Sequence, residues 1–134
     1  MTRLRNLVLS VAAVSCLAAS DAQAATVYPN SFGANWGNCT GRVTLERNTR
    51  NTVRGVMTYN CTRTGAAYEA ELKTGWKNFN DIWTTARATF RAPSGNRTLY
   101  ASGMFLDLSP AYWACGSIRA NGFQIANACA YYVL

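Results

Sequence analysis

Glu69 and Glu71 stand two residues apart, a spacing that puts both carboxylates on one face of a strand. Paired carboxylates are the equipment of glycoside hydrolysis, although two acids on a strand are more commonly a solvated edge. Other catalytic chemistry is poorly supplied. The chain contains no histidine, which removes the usual Ser–His and Cys–His nucleophile pairs. Phosphate-cradling loops and dinucleotide fingerprints are also missing from the sequence. The expectation is a protein that is not an enzyme and needs no cofactor.

Binding chemistry is richer. Tryptophan occurs at 36, 76, 83 and 113, and tyrosine at 28, 59, 68, 100, 112, 131 and 132. Aromatic faces stack on sugar rings or bases, and a neighbouring Arg or Asn fixes the polar groups. Trp36 lies among Gly33, Asn35, Gly37 and Asn38, a loop composition that favours exposure. Tyr112 and Trp113 follow Ser109-Pro110, a turn, so at least one of them should reach the surface. With Arg119 and Asn121 these three make the candidate ligand-binding set. Trp83 reads better as core, and Trp76 is divided between core and surface.

The formal net charge is +7, from 13 basic and 6 acidic residues. Such a balance suits anionic partners (acidic glycans, phosphorylated polymers or nucleic acid), though it also serves simple solubility. The arginines are spread along the chain and form no basic tail.

Arg3 and Arg5, the apolar run Leu7 to Ala19, and Ala22-Gln23-Ala24 have the pattern of a secretory signal over residues 1–24. Cys16 as a lipoprotein cysteine is the alternative, disfavoured by Ala13 three residues before it. The apolar run is shorter than the roughly 20 residues a membrane-spanning helix needs. Cleavage would leave residues 25–134 as a single domain, secreted to the periplasm or the exterior, with a net charge of +6.

Four cysteines would remain, which in an exported chain of this size implies two disulfides with three possible connectivities. The spacings favour one. Asn48-Thr49-Arg50-Asn51 is a polar turn that places Cys39 and Cys61 opposite each other in a hairpin. Asn121-Gly122 is a strong hairpin signal midway between Cys115 and Cys129. An ideal two-residue turn there would pair Cys115 with Ala128, so a bulge or a longer loop is required. Zinc is the rival for the four thiols, but there is neither a histidine nor a Cys-x-x-Cys.

The elements that must position these residues are mostly strands, read at 41–47, 53–61, 66–74, 97–106, 112–119 and 123–132. The segment 79–91 predicts the single helix. Phe79, Ile82, Trp83, Ala86 and Phe90 recur at helical spacing, Asn78 and Asp81 resemble a cap, and Arg87 and Arg91 suit the far end. Thr84, Thr85 and Thr89 argue against it, as does the alternation Thr84/Ala86/Ala88/Phe90. The expected fold is mainly β with one helix, a small OB-like barrel; an all-β sandwich is the alternative.

The run Phe79-Asn80-Asp81-Ile82-Trp83-Thr84-Thr85-Ala86-Arg87 resembles the helix of the receptor-binding B subunits of subtilase-cytotoxin-type bacterial toxins. Gly95, the strand Thr98 to Leu106 and Ile118-Arg119-Ala120-Asn121 continue the similarity, which runs from Trp76 to Cys129. The resemblance implies an OB-fold subunit that forms a homo-pentamer, binds sialylated or other acidic glycans on a receptor glycoprotein, and accompanies a separate catalytic chain. The family's sugar-contacting residues lie in the half that does not align. The expected function is therefore a secreted, non-catalytic glycan-binding module. The alternatives are an inhibitor of a foreign hydrolase, or a binder of anionic polymer, with nucleic acid the less favoured form.

Overall fold

In the computed structural model, the described residues are 26–34, 36–49, 52–76, 78–105 and 111–133. Nine strands account for nearly all of them: β1 (Thr26–Tyr28), β2 (Asn30–Ala34), β3 (Cys39–Thr49), β4 (Thr52–Cys61), β5 (Tyr68–Trp76), β6 (Ile82–Phe90), β7 (Arg97–Phe105), β8 (Ala111–Ala120) and β9 (Phe123–Val133). They form two antiparallel sheets, ordered β1-β9-β8-β5-β6 and β2-β3-β4-β7. The expected signal segment 1–24, the lipoprotein alternative at Cys16 and the Ser109-Pro110 turn lie outside the described residues. No helix among the described residues is long and apolar enough to cross a membrane.

The all-β expectation holds, but the helix and the closed barrel do not. Residues 82–90 form β6, paired with β5 from Tyr68↔Phe90 to Gly75↔Ile82. The exposure of β6 alternates with period two, turning Ala86, Ala88 and Phe90 inward. The apolar spacing that reads as helical is compatible with both periods, and the β-branched threonines tip the choice toward a strand once β5 offers a partner. Asn78 and Asp81 close a turn instead of capping a helix: the Asp81 amide donates to the Asn78 carbonyl, and the Asn80 amide to Asn78 Oδ1. β6 and β7 lie alongside each other without a ladder, so the two sheets stay a sandwich open on that side.

Both predicted disulfides are present. Cys39–Cys61 and Cys115–Cys129 each join residues directly opposite in a hairpin, with Cα atoms 4.1 Å apart. The β8–β9 turn is the two-residue form, with positive φ at Asn121 and Gly122 and Ala120 opposite Phe123. A register shift next to Ile118 then inserts one residue and brings Cys115 opposite Cys129 rather than Ala128.

The core lies between the sheets. Val43, Leu45, Val53 and Met57 from β3 and β4 face Ala114, Ile118, Ala126, Ala128 and Ala130 from β8 and β9. Larger side chains on β3 and β4 meet mostly alanines on β8 and β9, which lets the layers interdigitate. Gly116 continues that pattern, because a Cβ there would come within 2.7 Å of Met57 Sδ.

Candidate functional site

The outer face of the five-stranded sheet is built of rows that cross the strands, since directly paired residues share a face. At the end where β5 begins, Glu69 stands between Arg119 of β8 and Thr89 of β6. Here the β8–β9 turn folds toward the segment leading into β5. Asn121 clasps that segment at Ala67: its amide donates to the Ala67 carbonyl at 2.9 Å, and its Oδ1 accepts from the Ala67 amide at 3.1 Å. Arg91 follows directly on β6. Together Tyr68, Glu69, Phe90, Arg91, Arg119 and Asn121 border an open cleft of about 770 Å³.

Beneath the cleft, on the core side of the sheet, the packing is aromatic and rigid. Tyr68 and Phe90 stack with ring centroids 5.2 Å apart and planes 15° from parallel, and Tyr59 adjoins Phe90 at 5.0 Å. The Tyr68 hydroxyl donates to the Arg63 carbonyl at 2.6 Å, which fixes the ring. Burial pushes the Tyr59 phenol up, partly offset by the Arg97 charge. The rim is cationic. Arg91 and Arg119 are exposed, and among the described residues neither has a hydrogen-bond or ion-pair partner. Two free guanidinium forks suit a planar anion such as a carboxylate.

The two glutamates of β5 are not equivalent. Glu71 is only 7% exposed. Its Oε2 accepts from Arg87 Nε at 2.6 Å, and its Oε1 lies 3.4 Å from Lys73 Nζ. Burial pushes its carboxyl upward, but the Arg87 hydrogen bond and the charges of Lys73 and Arg87 outweigh it and hold the group below the usual range. A carboxylate held ionised in this way is unsuited to act as a general acid. Glu69 makes no ion pair among the described residues and stays available to a ligand. Those residues also contain no group of three or more His, Cys, Asp or Glu able to hold a metal.

Of the five candidate ligand residues, the cleft brings together Arg119 and Asn121. Trp36 sits in a short 3-10 turn, 40% exposed, with its ring 6.3 Å from Tyr68 and the Arg63 guanidinium 4.7 Å from its centre. Tyr112 and Trp113 are not at the surface as expected; they are 1% and 4% exposed. Tyr112 points into the core, and Trp113 lies on the outer face but is covered. Its ring packs over Gly75, whose hypothetical Cβ would meet Trp113 Cζ2 at 2.5 Å, and Phe79 lies 5.3 Å above it. The indole N–H donates to the Asn78 carbonyl at 3.0 Å.

Sequence reasoning missed Arg91, and it met Glu69 only as half of a hydrolase pair. No local pattern marks them, since they converge only through the β5–β6 and β5–β8 registers. Compared with known families and curated proteins, the chain matches no family model and no curated sequence.

Proposed function

We propose that the protein is a secreted, non-catalytic binding module that takes acidic glycans in the cleft between the β8–β9 turn and the end of β6. One observation carries this reading: two unpaired arginines and a free carboxylate border the same open cleft. The arginines supply forked donors for a carboxylate. Glu69 and Asn121 offer acceptors for sugar hydroxyls. Export agrees with the two disulfides and with the signal-like first 24 residues.

The test is a glycan array at physiological salt. Carboxylated glycans are expected to be retained and neutral ones washed away, with retention lost in Arg91→Ala. Equal retention of neutral and acidic glycans would overturn the reading.

A second reading, an inhibitor that docks on a hydrolase, is favoured by the exposed rings at the other end of the same sheet. Phe79 and Tyr131 are 54% and 41% exposed there, beside Tyr28. Co-purification with one hydrolase and loss of that enzyme's activity would support it, and an array-positive protein that inhibits nothing would remove it.

A further inference from the structure

A second hollow of about 490 Å³ adjoins the cleft, formed by Thr64, Gly65, Ala66 and Ala92, and sharing Ala67 and Arg91 with it. Both hollows fall in the range of about 300–1,000 Å³ that small-ligand sites occupy. The wall between them is held at both ends. The amides of Thr62 and Arg63 both donate to the Gly37 carbonyl, and Asn121 clasps Ala67. The second hollow is therefore preformed, and its border mixes three alanines with polar groups, Thr64 and Arg91 among them. Beyond Thr64 the chain continues to Arg63, whose guanidinium lies over Trp36.

We infer that these hollows are consecutive subsites, with Arg91 between them, and that the ligand is an acidic oligosaccharide long enough to occupy both. The inference rests on the proposed glycan-binding reading and adds to it a chain length and a second contact surface. Arg119 and Arg91 address the charged unit in the first hollow. Ala66, Ala67 and Ala92 receive the apolar face of the next unit, and Thr64 bonds its hydroxyls. Glu69 sets the class of polymer. A carboxylate in the first hollow repels either anion alike, but it accepts hydroxyl donors that a sugar unit offers and a phosphodiester group lacks.

The experiment is calorimetric titration of the purified, disulfide-bonded protein with galacturonate and α2,8-linked sialate of one, two and four units, and with a single-stranded oligonucleotide. In at least one of the two series, affinity is expected to rise at least tenfold from one unit to two and then level off. In Ala66→Glu, with folding checked by circular dichroism, the longer chains should bind no better than the single unit. Arg119→Ala should weaken every length by a similar factor. Affinity independent of length in both series, or a length gain that survives Ala66→Glu, overturns the second subsite while leaving the cleft. Failure of every acidic sugar to bind, or indifference to Arg119→Ala, overturns the glycan-binding reading itself. Tighter binding of the oligonucleotide than of either sugar series overturns the assignment to glycans.

Discussion

The two ends of the outer face along β5 carry opposite chemistries. From Glu69 to Gly75 is about 20 Å at the rise of a strand. At the Gly75 end the row Tyr28, Tyr131, Trp113, Gly75, Ile82 crosses all five strands, and Phe79 lies over it. Side chains there are uncharged, Trp113 is covered although its neighbours are partly exposed, and its one polar nitrogen is satisfied by the Asn78 carbonyl. At the Glu69 end, cations stand unpaired over a hollow. The first arrangement stabilises the sandwich. The second leaves interactions unmade, as the proposed binding role requires.

Substitutions should separate the two ends. Trp113→Ala is expected to have the largest effect on stability, about 3–5 kcal/mol by urea unfolding, because a large buried ring is lost from a closed environment. Binding of acidic sugar by the folded fraction should change less than twofold; a tenfold loss would show that the ends are coupled. Arg119→Ala should reverse the pattern, with a loss of affinity of about 10- to 100-fold. Its stability should stay within about 0.5 kcal/mol of the parent, since an exposed, unpaired side chain is removed.

Glu71 lies between the two ends and gives a smaller, pH-dependent effect. Its carboxyl is held below its unfolded value, so the stabilisation is full above the ordinary glutamate range and disappears as pH falls through the folded value. Glu71→Gln should cost about 1 kcal/mol at pH 7, and parent and variant should converge in acid. A constant difference across pH would assign the effect to shape instead of charge. Phe79→Ala should be the mildest change, at or below about 1 kcal/mol for a half-exposed ring, with binding in the cleft unchanged.

The hairpins and both disulfides were legible because their determinants are local. Asn121-Gly122 fixes a turn, and the four cysteines sit symmetrically about two such turns. The segment 79–91 was misread for the opposite reason. Its spacing of apolar residues and its Asn78/Asp81 pair satisfy helix rules locally, while the ladder to β5 that decides the matter is invisible until β5 is in place. Tyr112 and Trp113 failed similarly: the turn before them promises exposure, but the loop carrying Phe79 and Asn78 returns over Trp113. Arg119 and Asn121 could be singled out from their hairpin. Arg91 and Glu69 join them only through pairings between segments distant in sequence.

Pro29 separates β1, which belongs to one sheet, from β2, which belongs to the other. Proline has no amide hydrogen to give to a ladder, so the chain changes sheets there and lines both borders of that side, with β2 against β9. On the opposite side β6 and β7 shield one another. Strand-by-strand polymerisation needs a long, bare border of unsatisfied amides. Here each such border has a strand of the other sheet beside it, which hinders edge-to-edge growth and favours association through the faces.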